Sequence, residues 1–201
     1  MFDAFGDRFN KMTGRTRFVV CRLFVHCRGD YVAPLLGVLN QAARVAVQEQ
    51  GDLVRTGSEL VKVCQSLLEA TSYWQSAANE GDVFWQEEAA GDYVSELFTD
   101  SASRYLSQTS DFYTADTNQP LTLPVTHNLV VMITAAYVGE VAPLETDLAD
   151  IDALTQGLKA LINLHYQNSL RAIQVHFSPA QLGDELTDDQ VLENFPELIP
   201  L

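Results

Sequence analysis

The sequence is short of features that would identify a chemistry directly, namely cationic side chains, cysteines and catalytic signatures. It has 12 lysines and arginines against 27 aspartates and glutamates, so its formal net charge is −15. Nucleic-acid binding needs clustered cations that neutralise phosphates, and a chain this acidic is therefore not expected to bind nucleic acid. Glycine-rich nucleotide loops, nucleophile elbows, His-Glu-x-x-His helices and Cys-x-x-Cys pairs are also missing, so no catalytic residue is predicted.

The cysteines are few and odd in number: Cys21, Cys27 and Cys64. On one strand, Cys21 and Cys27 would lie roughly 20 Å apart at about 3.3 Å per residue, which is too far for a disulfide. Without a secretory signal, this count indicates reduced, buried thiols in a reducing compartment such as the cytoplasm. The four histidines are scattered without metal-ligand spacing, so neither a metal nor a cofactor is predicted.

No apolar run is long enough to predict a transmembrane helix. The uncharged stretch 117–139 has the necessary length, but prolines and asparagines interrupt its first part. We interpret it as a linker that leads into a buried strand, and not as a membrane span.

Charge is distributed unevenly along the chain. Residues 1–28 carry six cationic and two anionic side chains, a net charge of +4, and the other 173 residues therefore carry −19. Apolar residues in 1–16 recur at helical spacing with cations beside them, which predicts a short basic amphipathic segment. Such a segment suits an anionic membrane surface or an acidic partner, although packing on its own domain fits equally well. The candidate docking residues are Phe2, Phe5, Arg8, Phe9, Lys11, Met12 and Arg15.

The first half of the chain predicts one strand followed by helices. Alternating residues predict a strand over 17–27, with one apolar and one mixed face. A helix is expected from an N-cap at Asp30 to about Gln50, and a second helix from Ser58. A third helix ends at about Leu106, before the linker-like stretch 107–124.

The second half predicts a strand–helix–strand unit. Leu129–Val138 is apolar on both faces, which is typical of a central strand. A helix capped by Asp147 or Asp150 leads to an alternating strand over Leu170–Phe177, in parallel or antiparallel pairing. A capping box at Thr187 starts a short last helix. We therefore predict an α+β fold, a small mixed or antiparallel sheet covered by helices, as a single domain over 17–201 behind the segment 1–16.

Aromatic and acidic residues concentrate between residues 73 and 100. The sequence Asn79-Glu80-Gly81-Asp82 is a strong turn signal, and either a hairpin or a pair of loops would place its flanking aromatics together. These aromatics form either a partner surface or part of the core. The acids that follow form either a solvated helix face or a site for a divalent cation. The candidate partner-surface residues are Tyr73, Trp74, Phe84 and Trp85.

Several short motifs together resemble a known family. The chain resembles a cyanobacterial and plastid family of unknown function that includes the chloroplast fluctuating-light acclimation protein. The resemblance implies association with thylakoid membranes and adjustment of photosynthesis to changing light, and it implies no known catalytic residues. The motifs are Tyr73-Trp74, Val130-Val131-Met132-Ile133-Thr134-Ala135-Ala136, Val175-His176-Phe177-Ser178-Pro179, Gly183-Asp184-Glu185-Leu186-Thr187 and Phe195-Pro196-Glu197-Leu198.

The expected function is that of a non-catalytic regulatory or assembly factor. It would contact a photosynthetic protein complex from the cytoplasmic (stromal) face of the thylakoid membrane, attached peripherally. Two alternatives stay open. One is an enzyme or small-ligand-binding protein with a pocket near Trp74 or Trp85, and the other is an acidic protein that responds to divalent cations.

Overall fold

The computed structural model of the chain describes residues 14–49, 52–106, 127–180 and 184–201. These residues form five helices and five strands, which confirms the predicted α+β class. The helices are α1 (Val32–Gln48), α2 (Leu53–Glu69), α3 (Glu87–Leu106), α4 (Ile151–Tyr166) and α5 (Asp188–Asn194). The strands are β1 (Phe18–Arg28), β2 (Trp74–Phe84), β3 (Asn128–Val138), β4 (Leu170–Ser178) and β5 (Ile199–Pro200).

Two of the sequence-based predictions lie outside the described residues. They are the linker-like stretch 107–124 and most of the amphipathic segment 1–16. Of the candidate docking residues, Arg15 is described and exposed. The others, outside the described ranges, are Phe2, Phe5, Arg8, Phe9, Lys11 and Met12.

The sheet has the strand order β4-β3-β1-β2-β5, and every neighbouring pair is antiparallel. Strand β1 pairs with β3 from Phe18 opposite Val138 to Arg28 opposite Asn128. The strand–helix–strand unit, for which both orientations were open, is therefore antiparallel, and α4 lies in the connection between β3 and β4. The apolar strand β3 lies in the sheet interior, as its composition predicts.

The two faces of the sheet carry different helices. On the first face, alternate β1 residues such as Leu23 and Val25 pack with α1, α2 and α4 in the main hydrophobic core. On the second face, Val20 packs against α3 and Phe24 against α5 and the residues around it. The two-face pattern predicted for β1 is confirmed, because side chains of both parities are buried.

The predicted turn at Asn79–Asp82 is wrong, because β2 runs through these residues as a continuous strand. Gly81 is needed there for a close backbone approach, since an added Cβ would lie 2.5 Å from the Val20 carbonyl oxygen. Asn79 uses its side chain to bind the loop before α4: its amide donates to the Thr146 carbonyl at 2.9 Å, and it accepts from the Leu148 N–H at 2.8 Å. The residues that look like a turn in the sequence, Asn79 and Gly81, are thus explained by contacts with distant parts of the chain.

Helix starts were predicted with mixed success. Helix α1 begins at Val32 and ends at Gln48, and Asp30 does not cap it. Helix α2 begins five residues before the predicted start at Ser58, because Asp52 caps it by accepting a hydrogen bond from the Arg55 N–H at 2.9 Å. Of the two caps left open for α4, Asp150 and not Asp147 is the N-cap, and the cap predicted at Thr187 is confirmed.

Replacing Gly81 by alanine should destabilise the protein by about 1–3 kcal/mol, because the added methyl group overlaps the β1 backbone. Urea unfolding followed by circular dichroism measures this change. The matched control is Gly91→Ala in α3, where an added Cβ meets no atom within 4 Å and helix propensity improves. Equal stability of the Gly81→Ala variant and the wild type would contradict this account of the strand.

Candidate functional site

The four candidate partner-surface residues do not form one surface. Trp74 begins β2 and is only 6% exposed in the main core, while Tyr73 before it stacks on Tyr31. Phe84 ends the same strand, roughly 33 Å away for 11 extended residues, and packs against α3 on the second face. Trp85 follows it and is half-buried. The expected grouping fails because a strand separates residues that a turn would have brought together.

A buried arginine organises the acidic stretch. Arg22 on β1 is 2% exposed and donates to the Glu80 carboxylate at 2.8 Å from Nε. Its Nη1 lies 2.7 Å from the Asp100 carboxylate and donates to the Ser101 hydroxyl at 2.8 Å. Burial alone would raise the pKa of Asp100, but the hydrogen bond from Arg22 and the charge of Arg104 outweigh it, so that this pKa is lowered.

Of the remaining acids of the stretch, Asp82 is exposed on β2, and the other four lie on the exposed side of α3, which agrees with a solvated helix face. They are Glu87, Glu88, Asp92 and Glu96. Within the described ranges, no group of three or more histidine, cysteine, aspartate or glutamate residues is arranged to hold a metal ion.

His26 lies in a hydrogen-bond chain that crosses three strands. Its Nδ1 is 3.1 Å from the Ser76 hydroxyl, and its Nε2 is 3.1 Å from Asn128 Oδ1. The Asn128 amide donates to the Leu186 carbonyl at 2.8 Å, which directs Oδ1 towards the imidazole and makes Nε2 the protonated nitrogen. In this series of hydrogen bonds, Ser76, His26 and Asn128 stand in the order of a nucleophile, a base and an orienting residue. However, all three residues are less than one-tenth exposed, so the hydroxyl is closed to a substrate. We assign the chain to holding the strands together.

The cysteines are buried and unreactive. All three are free. Burial, together with the charge of Glu145, raises the pKa of Cys21 to about 12, and burial raises the pKa values of Cys27 and Cys64 to about 12. Thiolates are the reactive form, so these residues serve the core, as the sequence predicts.

An open cleft of about 550 Å³ lies between α1 and α2. Its volume is in the range of ligand-binding clefts. A second cavity, of about 50 Å³ beside Cys21, is too small for anything beyond a water molecule or two. Neither cavity is lined by Trp74 or Trp85. The cleft is lined by Tyr31, Pro34, Gly37, Val38, Gln41, Glu59, Lys62, Gln65, Ser66 and Glu69.

The cleft has an aromatic end and a charged centre. At one end, Tyr31 stacks on Tyr73 with ring centroids 5.5 Å apart, and its hydroxyl donates to Glu69 at 3.2 Å. At the centre, the Lys62 ammonium donates to the Glu59 carboxylate at 2.6 Å. These phenol, carboxylate and ammonium groups can all make directional contacts with a bound molecule.

Gly37 leaves space in the cleft, although no neighbouring atom requires a glycine at this position. A glycine inside a helix costs about 1 kcal/mol relative to alanine. An added Cβ at Gly37 would meet no atom within 4 Å, so the packing of the described residues tolerates a side chain there. An isolated glycine within the α1 helical pattern was the sequence signal that could have located this cleft.

Comparison with known proteins gives a family and nothing more specific. A family model described as "Protein of unknown function (DUF1517)" matches residues 17–201. The chain belongs to this family. No curated protein and no solved structure is detectably similar to it.

The DUF1517 match covers all the described strands and helices, and therefore includes the cleft. Within the described part of this DUF1517 chain, no helix combines the length and apolar character needed to cross a membrane.

The ion pair between Asp100 and Arg22 should make the free energy of unfolding decrease at acidic pH. The ordinary pKa of this group is 3.8, and the folded value is lower, so the stabilisation is present above 3.8 and is lost as the pH falls towards the folded value. Asp100→Asn should therefore lose less unfolding free energy than the wild type between about pH 5 and 3. Urea unfolding at several pH values measures this.

The matched control is Asp92→Asn, because Asp92 is an exposed acid of the same helix. It should follow the pH dependence of the wild type. Parallel curves for all three proteins would show that the Arg22–Asp100 pair contributes nothing measurable.

Proposed function

We propose that this protein is a regulatory or assembly factor that acts through protein–protein contacts and catalyses no reaction of its own. In this proposal it is held peripherally at the cytoplasmic (stromal) face of a thylakoid membrane, where it contacts a photosynthetic complex. The membrane and the complex rest on the resemblance described above. The contact function rests on the cleft between α1 and α2.

The cleft supports recognition because its polar groups line an open surface between two helices. Tyrosine is enriched at energetically important interface positions, and Tyr31 lines one end of the cleft, where its ring stacks on Tyr73. Interfaces also need polar groups that replace water contacts, and Gln41 and Gln65 provide amides along the wall. A partner segment could lie between the helices with little rearrangement of the backbone.

The two alternative functions find less support in the geometry. A ligand pocket at Trp74 has no opening, because the side chain is 6% exposed within the main core. A divalent-cation site in the acidic stretch would compete with Arg22, which already binds Glu80 and Asp100. Both carboxylates are therefore already paired within the fold, and Asp100 is paired with Arg104 as well.

Gly37→Leu tests the contact function, because it fills the cleft at a position where the fold tolerates a side chain. Affinity purification with the wild type should retain a specific complex from detergent-solubilised native membranes, and the Gly37→Leu variant should lose it. Gly91→Leu is the control, because it makes the same change in α3, away from the cleft, and should retain the complex. Equal retention by all three proteins would overturn the role of the cleft.

Removal of residues 1–16 tests peripheral membrane attachment. The truncated protein should pellet with membranes less than the full chain, because the basic segment supplies both cations and apolar side chains. Fractionation followed by immunoblotting measures the distribution. Unchanged pelleting would eliminate this segment as the membrane contact.

A further inference from the structure

The aromatic end of the cleft has the chemistry of a cation site. Tyr31 lines this end, and its ring lies nearly parallel to that of Tyr73, with an interplanar angle of 20°. Beside them, Glu69 accepts one hydrogen bond, from Tyr31, and among the described residues it forms no ion pair with a cation. Aromatic faces attract cations, and a carboxylate accepts hydrogen bonds from them in up to four directions. This end therefore offers free acceptor directions and negative potential, and among the described residues no cation is paired with them.

A second carboxylate of the cleft is already paired with a cation of the protein itself. The Glu59 side chain is 11% exposed, whereas the side chain of its partner Lys62 is 59% exposed. A buried carboxylate is thus neutralised by a lysine that reaches it from solvent. The negative charge of Glu59 is therefore already paired, whereas Glu69 has no cation beside it among the described residues.

The far end of the cleft limits where a further cation can bind. There the Arg44 guanidinium donates to Gln41 Oε1 at 3.1 Å. Its positive charge disfavours a second cation close by. The Tyr31 end, at the other end of α1, has the carboxylate of Glu69 instead.

We propose that the cleft binds an arginine side chain of the partner protein, with its guanidinium against the Tyr31–Tyr73 pair and its N–H groups donating to Glu69. This inference rests on the contact function proposed above and specifies the chemistry of the partner. Arginine fits better than lysine because its planar guanidinium stacks on aromatic rings and pairs with a carboxylate through two parallel hydrogen bonds. The net charge of −15 favours the approach of a basic partner.

The probe is N-acetyl-arginine amide, titrated into the ¹⁵N-labelled protein and followed by NMR. Its neutral analogue, N-acetyl-citrulline amide, has nearly the same shape and serves as the matched ligand. Arginine amide should cause saturable shifts of the amide signals of Tyr31, Tyr73 and Glu69, and citrulline amide should bind about tenfold more weakly. Equal binding of the two ligands, or arginine shifts confined to other surfaces, would overturn the inference.

Glu69→Gln should remove the preference for arginine over citrulline while leaving the fold intact, because Glu69 is exposed. Glu88→Gln, at an exposed position of α3, is the control and should keep the preference. Tyr31→Leu should weaken arginine binding, whereas Tyr31→Phe should retain most of it because the ring is kept. A Glu69→Gln variant that still prefers arginine would contradict the assigned contact.

The same variants separate this inference from the proposed function. If Glu69→Gln retains the native complex and Gly37→Leu loses it, the cleft contacts a partner but does not bind an arginine through Glu69. If arginine amide binds at Tyr31 and Glu69 while no complex depends on Gly37, the chemistry of the site stands and the proposed contact function fails.

Discussion

Strand β1 has to bury both of its faces, and the placement of the other elements follows from that constraint. Leu23 and Val25 need apolar cover on one face, and Val20 and Phe24 need it on the other. Strands β2 and β3 pair with β1 along both edges, so that its backbone polar groups are satisfied within the sheet. Helices α1, α2 and α4 cover the first face, and α3 with the C-terminal residues covers the second.

The burial of both faces of β1 also buries a charged side chain, that of Arg22. Moving a guanidinium out of water is costly, and the cost is offset only when its donors are paired. Glu80, Asp100 and Ser101 supply those acceptors, and they come from β2 and α3. The arginine therefore fixes how α3 lies on the sheet. Acidic residues that look like a free anionic surface in the sequence are in part the internal counter-ions of this side chain.

Local signals predicted the fold well, and long-range contacts account for what was missed. The alternation of β1 and the caps at Asp150 and Thr187 are readable because neighbouring residues determine them. Gly81 was wrongly predicted to lie in a turn, because the requirement for glycine comes from the backbone of β1, some 60 residues earlier. The isolated Gly37 is a local signal for one wall of the cleft, but the aromatic end of the cleft could not be predicted, since it requires Tyr31 to reach Tyr73. The aromatic residues predicted to lie together are far apart for the same kind of reason. Which residues become neighbours is decided by the pairing of the strands in the sheet.

The sheet pairing has a consequence for the synthesis of the chain. Arg22 meets Glu80 58 residues later, and His26 meets Asn128 102 residues later. Strand β1 therefore leaves the ribosome long before either of its neighbours exists. Until then its eleven residues are an unpaired, largely apolar strand that can pair with other nascent chains. Residues 1–79 carry nine cationic and seven anionic side chains, a net charge of +2, so charge repulsion between such chains is weak at this stage. Acidic residues dominate only from Glu80 onward, and the negative charge that separates the finished proteins therefore develops as β2, the first partner of β1, is made.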